Sequence, residues 1–421
     1  MSADALKTYL HAIERELRSG RAGEHSQRAG QPPIGVRARR HQPLGMSPAR
    51  FLRDYWQKRP LLIRGAFPQF HNALTPEDLA GLACEDFALS RIVVRDPKRD
   101  RWTLRNGPFA EADFAKLGKR NWTLLVQDVD KWDADVVALL GNFAFLPSWR
   151  VDDIMVSYAT DGGGVGPHVD NYDVFLVQGI GKRRWQISTD ATAPQEFRAD
   201  ADLKLLREFR PTHDWVLDPG DALYLPPGVP HEGTALGDCM TFSVGMRAPA
   251  QAELLLDFAE HLADAMSEER RYADPDLAPS KNAGEIDAAA LARARAAMPH
   301  FSNVDNATLA RWFGCFITRY RAAHEAASAA RSITVAQLAV KLPRMRLLRN
   351  PWSRMAWTRQ GRNALLFVAG HAHACPLALA RLLAGVREIS GTELQRCAGE
   401  TGLSVVAELV NAGHLQLSRQ R

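Results

Sequence analysis

The sequence has few cysteines and lacks long hydrophobic runs. Its five cysteines are odd in number and have no CxxC spacing, so neither a disulfide framework nor a structural zinc site is expected. The longest apolar stretch, residues 364–374, is short and contains His371 and His373, so we predict no membrane span. These absences favour a reducing, cytoplasmic environment.

The first 45 residues are also poor in large apolar side chains and rich in arginine, glycine, proline and glutamine. This composition predicts a disordered basic extension, and the missing apolar core argues against a secretory signal. Met46 directly precedes a helical pattern and is a candidate alternative start. The mass of the native N-terminal peptide would test that hypothesis.

A chain of 421 residues with a net charge of +5 predicts two or three units and does not by itself indicate a nucleic-acid partner. Ser47-Pro48 is a helix N-cap followed by proline, whereas Ile154 to Met246 shows short strands broken by glycine and proline turns. The latter pattern is typical of a small antiparallel barrel or sandwich.

After Pro249 the period becomes helical. One broad apolar stripe consists of Leu309, Trp312, Phe313, Phe316, Ile317 and Tyr320. A stripe of this width needs a partner surface, which is either a second copy of the chain or its own domain.

The last 90 or so residues predict a third unit. Strands are expected at 354–359 and 364–369, and helices at 376–384, 392–398 and 404–412, followed by a closing strand. This order suggests a winged-helix-like module. The basic residues leading into it favour a solvated face over DNA binding, because no helix is rich in the side chains that read bases.

The most informative motif is His168-Val169-Asp170, followed downstream by His231 within a proline- and glycine-rich turn. On a β-strand, side chains two residues apart share a face, so we expect His168 and Asp170 to lie on one strand and to reach one ion together with His231 from a later strand. Two histidines and one carboxylate are the ligand set of non-haem Fe(II) oxygenases, although such barrels also hold manganese, nickel or zinc.

A candidate anion-binding residue lies on the next strands. We predict a strand at 173–178, a tight turn at 179–181 and a returning strand at 182–187. Alternation places Arg183 with Trp185 and Ile187, inside the barrel. A buried guanidinium requires an anion. The distal carboxylate of 2-oxoglutarate and an internal carboxylate are the two alternatives.

Several further residues flank these motifs. Gly162–Gly166 has no dinucleotide or P-loop context and suggests either a flexible lip over the metal or a mobile hairpin. Residues that could contact the cosubstrate are Ser157, Thr241 and Ser243, with strand packing as the alternative role. Residues that could orient a substrate are Asp161, Asn171 and Tyr172; Asp161 suits a cationic side chain or a turn.

Residues 55–64, 162–185, 219–233 and 243–247 closely resemble bacterial JmjC-type ribosomal oxygenases, and the resemblance extends over 46–421. It implies an α+β fold with a double-stranded β-helix (cupin/JmjC) barrel, a helical dimerisation segment and a winged-helix-like C-terminal domain. On this resemblance the boundaries are 1–45 for the extension, 46–250 for the oxygenase domain, 251–331 for the dimerisation segment and 332–421 for the last domain.

The resemblance also implies that His168, Asp170 and His231 bind Fe(II) and that Arg183 binds 2-oxoglutarate, with O2 as the second cosubstrate. Members hydroxylate an arginine β-carbon in a large-subunit ribosomal protein. The implied partners are this substrate and a second copy in a homodimer, without specific DNA binding. Ala159 stands where a small hydroxyl residue is expected. The alternatives are a hydroxylase or demethylase acting on another residue, protein or small molecule, and a non-enzymatic scaffold.

Overall fold

The computed structural model describes residues 33–68, 74–267, 269, 271–275, 277, 286–298, 304–321 and 324–419. The strands of the N-terminal part are β1 Gly35–Arg37, β2 Leu61–Arg64, β3 Ser90–Asp96, β4 Arg101–Asn106, β5 Trp122–Val126, β6 Val151–Ala159, β7 Val174–Ile187, β8 His213–Leu217, β9 Ala222–Leu225 and β10 His231–Met246. The C-terminal strands are β11 Met345–Arg349, β12 Met355–Gln360, β13 Asn363–Val368, β14 His371–Pro376, β15 Glu388–Ser390 and β16 Leu415–Arg419.

The helices lie around these strands and between them in the chain. Their bounds are α1 Pro48–Asp54, α2 Pro76–Leu82, α3 Glu111–Ala115, α4 Ala134–Leu139, α5 Gln251–Asp264, α6 Ala288–Ala297, α7 Asn306–Arg319, α8 Val335–Lys341, α9 Leu377–Gly385 and α10 Gly391–Asn411. As the sequence predicts, Ser47 caps α1 and a proline opens it. Within the described residues, no helix combines the length and apolar character that crossing a membrane requires. The predicted α+β class is confirmed.

The strands up to β10 form one sheet in the order β1-β2-β9-β7-β10-β6-β5-β3-β4, with β8 also pairing with β7. Helices α1, α2 and α4 cover its outer face, where Phe51, Tyr55 and Tyr224 are fully buried. The inner face carries two apolar clusters, one containing Trp185 and the other containing Trp102. The predicted site lies between these two inner clusters.

The expected turn at 179–181 is wrong. β7 runs without reversal from Val174 to Ile187, and β10 pairs with both of its halves. Gly181 has φ +60, and a Cβ there would lie 2.1 Å from the carbonyl oxygen of Asp238. Gly179 and Gly181 flank Ile180 at a register shift between β7 and β10, and such a shift bends a strand without ending it.

The prediction that residues 1–45 are disordered is wrong for residues 33–45. Residues 1–32 lie outside the described part of the chain. Gly35–Arg37 pairs in parallel with β2, and the Tyr55 hydroxyl donates to the carbonyl of Pro33 at 2.8 Å. Leu44 is only 4% exposed. Backbone pairing with an existing strand orders this segment despite its few large apolar side chains.

The helical stripe packs within the chain except at Leu309, which is exposed. Phe258 on α5 lies against Trp312 on α7, and Gly314 on α7 approaches the Phe367 ring on β13 so closely that a Cβ would clash. The C-terminal part contains two three-stranded sheets, β15-β11-β16 and β12-β13-β14. The two helices expected at 392–398 and 404–412 are both present within α10, where Gly399, with φ 56 and ψ −167, separates them by a break in the helical backbone.

Candidate metal centre and cosubstrate pocket

Three predicted ligands meet at the mouth of the barrel. His168 lies in extended chain after β6, not within a strand, and exchanges two backbone hydrogen bonds with His231, the first residue of β10. Asp170 Oδ2 lies 3.6 Å from Nε2 of His231 and 4.0 Å from Nε2 of His168. One donor atom from each residue falls within 4.8 Å of the others. This is the spacing of groups that can share one ion.

Backbone hydrogen bonds hold both histidine rings in the tautomer that can bind a metal through Nε2. Nδ1 of His168 lies 2.9 Å from the carbonyl oxygen of Gly166, and Nδ1 of His231 lies 2.9 Å from that of Val229. Each Nδ1–H therefore donates to the backbone, which leaves each Nε2 lone pair directed to the shared point. Burial, and then the neighbouring His168, lower the pKa of His231 to about 4. A neutral imidazole at this position suits a metal.

Asp170 is positioned from both sides. Its backbone carbonyl accepts a hydrogen bond from the Gly228 amide at 2.8 Å. The Tyr172 side chain hydrogen-bonds the Asp170 carboxylate; burial and this carboxylate raise the pKa of the Tyr172 phenol. Tyr172 thus stays a neutral donor beside the ligand. Asn171, between them, is exposed.

Arg183 lies inside the barrel, as strand alternation predicts, and is 3% exposed. Its guanidinium donates to Ser157 Oγ at 3.2 Å, to the carbonyl of Gly233 at 3.3 Å and to Thr241 Oγ1 at 3.5 Å, while its Nε has no partner. Its plane centre lies 5.0 Å from the Trp185 ring.

No ion pair joins Arg183 to a carboxylate among the residues that the structure describes. Burial lowers the pKa of this guanidinium. A desolvated cation without a counter-ion costs several kcal/mol. The internal salt bridge is therefore the weaker alternative, and the pocket fits the far carboxylate of a small diacid.

Hydroxyl groups surround this guanidinium. Ser157 and Thr241 are paired across β6 and β10, and Ser243 is on the same face, two residues beyond Thr241. Ala159 packs against Ala235 and Cys239 and offers no hydroxyl.

Thr123 is a site residue that the sequence reasoning missed. It is fully buried on β5 directly opposite Ala159, and its Oγ1 has no hydrogen-bond partner. Alternation along β5 puts it on the inner face with Leu125, which was the available signal. Its hydroxyl can supply the contact that Ala159 cannot.

The glycines at 162–166 are tightly packed and are not a flexible lip. A Cβ on Gly163 would lie 2.3 Å from the Trp122 carbonyl oxygen, and one on Gly164 would lie 2.3 Å from that of Gly233. The Gly162 amide donates to the Ala235 carbonyl, and the Ala235 amide donates to the Gly163 carbonyl. The close approach is to the protein's own backbone, which fixes the chain that leads into His168.

Asp161 precedes these glycines and already binds a guanidinium. Its carboxylate forms an ion pair with Arg120 and accepts from the Gly237 amide at 2.9 Å. Its side chain is 37% exposed. The Asp161 carboxylate therefore has an arginine and a distant backbone amide as partners within the chain, and its role toward a substrate stays a prediction.

Comparison with known proteins identifies the two parts of the chain. Residues 138–254 match the family described as JmjC domain, and residues 300–416 match the ROXA-like winged helix. The chain is 40% identical over 271 residues to the Escherichia coli ribosomal protein uL16 3-hydroxylase, covering 64% of this chain and 71% of that protein. It is 40% identical over 246 residues to a probable ribosomal oxygenase of Haemophilus influenzae, covering 58% and 57%.

Solved structures agree with this match. An X-ray structure of E. coli YcfD superposes with a TM-score of 0.79 at 33% identity, covering 89% of this chain and 99% of that one. A structure of the same ribosomal oxygenase in complex with cobalt and 2-oxoglutarate gives a TM-score of 0.75 with the same identity and coverage. With its His–Asp–His triad, its JmjC barrel and its winged helix, the chain belongs to the JmjC ribosomal oxygenases.

Proposed function

We propose that the protein is an Fe(II)- and 2-oxoglutarate-dependent dioxygenase that hydroxylates the β-carbon of an arginine in a large-subunit ribosomal protein. The observation that carries the proposal is the buried, unpaired Arg183 guanidinium in the same barrel as the triad. The name of the E. coli relative supplies the substrate class, a ribosomal protein, and the position of hydroxylation.

The chain's own residues bind and orient the reactants. His168, Asp170 and His231 would hold iron on one face and leave the opposite positions open to ligands. Arg183 would hold the far carboxylate of 2-oxoglutarate, with Ser157 and Thr241 beside it. Bound iron, 2-oxoglutarate and O2 together supply the oxidant that inserts one oxygen atom into a C–H bond, with release of succinate and CO2. The apolar inner clusters exclude water from this space.

The test is the mass of ribosomal proteins from cells with and without this gene. A gain of about 16 Da, the mass of one oxygen atom, on an arginine of a large-subunit protein is expected only when the gene is present. Purified His168→Ala should produce no succinate. His213→Ala, on β8 with its ring hydrogen-bonded to Thr212, is the matched control and should retain activity. Wild-type succinate production by His168→Ala would overturn the metal assignment.

The same assays separate the alternatives. Formaldehyde release would indicate a demethylase, and a mass gain on another residue or protein would indicate a different hydroxylase. Turnover without any protein substrate would indicate a small-molecule hydroxylase. No iron-dependent consumption of 2-oxoglutarate would favour a scaffold function.

We also propose that Asp161 binds the guanidinium of the substrate arginine after Arg120 leaves it. Its partial exposure and its present guanidinium partner support this role, while Asn171 and Tyr172 would line the entrance. Asp161→Asn should raise the KM for the protein substrate roughly tenfold or more, because a charge-assisted pair is lost. The dissociation constant for 2-oxoglutarate should not change. Asp238→Asn, an exposed carboxylate on β10, is the control; an unchanged KM in Asp161→Asn would refute the role.

A homodimer and a cytoplasmic location are further proposals. The exposed Leu255 and Leu256 on α5 and Leu309 on α7 support pairing of the helical segment with a second copy. Sedimentation of the purified protein at several concentrations tests it, and a monomer throughout would contradict it. Specific DNA binding is not expected.

A further inference from the structure

A second cavity lies between the barrel and the C-terminal domain, away from the metal centre. Its volume is about 810 Å³. Barrel residues between 130 and 152 form one wall, and C-terminal residues between 349 and 357 and between 381 and 387 form the other. Six cationic side chains but only two carboxylates line it. The cations are Lys131, Arg247, Arg349, Arg354, Arg381 and Arg387, and the carboxylates are Asp130 and Asp152.

The two carboxylates are occupied by other partners. Asp152 Oδ1 pairs with Arg247 at 3.0 Å and with Arg354 at 2.8 Å. Asp130 pairs with Lys131 at 2.5 Å and accepts from the Ile154 amide at 2.8 Å. Both carboxylates are therefore already paired with cationic side chains of the cavity wall.

Among the described residues, three guanidinium groups have no carboxylate within hydrogen-bond distance. Arg387 forms only a long ion pair with Asp130, at 3.7 Å. Arg349 donates to the carbonyls of Leu383 and Ala384 at 3.4 Å each. Arg381 lies over the Trp357 ring at 5.6 Å. Among the described residues, no carboxylate forms an ion pair with Arg349 or Arg381.

Helix capping accounts for part of this arrangement. Arg349 lies at the C-terminal end of α9, where the backbone dipole favours a cation. Burial, and then the charge of nearby Arg387, lower the pKa of Arg349 to about 10. Capping this helix end requires only one cation, Arg349, and does not account for Arg381 and Arg387.

We propose that this cavity binds a phosphate group carrying at least two negative charges, held by Arg349, Arg381 and Arg387 beside the Trp357 ring. Guanidinium groups bind phosphate through paired hydrogen bonds. Six cations and two carboxylates leave an excess of four positive charges in the lining. A single carboxylate would offset one of them, whereas a doubly charged phosphate would offset half. A free nucleotide and an RNA strand share this chemistry, and the indole offers either one a stacking surface.

The probe is inorganic pyrophosphate, titrated into the full-length protein by calorimetry in a phosphate-free buffer at constant ionic strength. One site per chain is expected. Arg387→Met and Arg349→Met should each weaken pyrophosphate binding roughly tenfold or more, because each removes a charge-assisted hydrogen bond. Arg359→Met removes an exposed arginine outside the cavity and should bind like the wild type.

Two further measurements keep the test decisive if a variant loses stability. Arg387→Lys retains the charge and should bind more tightly than Arg387→Met. A purely structural arginine would lower the melting temperature without changing the rise that pyrophosphate produces. Competition with AMP and with a short single-stranded RNA distinguishes the two sources. No pyrophosphate binding, or equal binding by wild type and Arg387→Met, would overturn the proposal, and neither result bears on the metal centre.

Discussion

At the scale of single residues, Arg183 is the most informative side chain of the site. Strand alternation places it inside the barrel. Hydroxyl and carbonyl oxygens accept its hydrogen bonds, and no carboxylate among the described residues pairs with it. The absence of a described counter-ion favours the proposed role of Arg183 in binding the cosubstrate. Thr123 shows the limit of that reasoning, because only the pairing of β5 with β6 brings its hydroxyl opposite Ala159.

Replacing Arg183 by methionine should separate binding from folding. The concentration of 2-oxoglutarate for half-maximal turnover should rise roughly a hundredfold, since a bidentate ion pair contributes about 3 kcal/mol. The unfolding free energy without cosubstrate should stay the same or rise, because a desolvated cation is removed. Turnover and thermal melting measure the two effects.

Arg184→Met provides the matched control for this substitution. Arg184 is on the opposite face of β7, where it pairs with the exposed Asp214, and such a pair stabilises by at most about 1 kcal/mol. The turnover of Arg184→Met should depend on the concentration of 2-oxoglutarate as that of the wild type does. A normal dependence in Arg183→Met would remove the main support for the cosubstrate pocket.

At the scale of elements, the pairing of the His168 segment with β10 builds the metal centre. His168 belongs to no named strand; a two-residue bridge joins it to His231, which begins β10 opposite Ile187 of β7, and Gly164 packs against Gly233 next to it. Glycine is required at 164 because another backbone occupies the space of a side chain. The sequence shows the glycines but not what they contact.

Gly164→Ala should therefore disturb the centre. Its Cβ would lie 2.3 Å from a backbone oxygen that cannot move alone, so we expect a loss of roughly 1–3 kcal/mol in unfolding free energy and weaker binding of Co(II). Gly81→Ala, on α2 with no atom within 4 Å of the added Cβ, should raise stability by up to about 1 kcal/mol. Equal behaviour of the two variants in denaturant titrations would contradict this interpretation.

At the scale of the whole molecule, a carboxylate cluster joins the barrel to the C-terminal domain. Asp152 binds Arg247 from the end of the barrel and Arg354 from the C-terminal domain. Asp153 lies beside it and accepts from the Asp128 amide at 3.1 Å. Burial, and then the charges of Asp128, Asp152 and Asp130, raise the pKa of Asp153 to about 7.

This pKa makes stability depend on pH in a defined direction. The unfolded chain loses the Asp153 proton near its ordinary value of 3.8, while the folded protein keeps it until about 7. The contribution of this group is therefore full at low pH and is lost as the pH rises between these values. Asp153→Asn stays neutral, so its stability advantage over the wild type should grow across this range.

Above pH 7 the advantage should reach the order of a few kcal/mol. Denaturant titrations of both proteins at a series of pH values measure it. An Asp153→Asn variant that is less stable than the wild type above pH 7 would show that the carboxylate is stabilising in its charged form.

The sequence by itself determined the residue types and the local alternation: the HxD triplet, the later histidine, the inward position of Arg183 and the helical period after Pro249. These depend on neighbours within a few positions, which the chain order contains. The continuity of β7 and the ordering of residues 33–45 depend on which strands lie alongside. Tertiary structure alone decided these features and the position of Thr123, the carboxylate cluster and the arginine-lined cavity, because each is built from segments far apart in the chain.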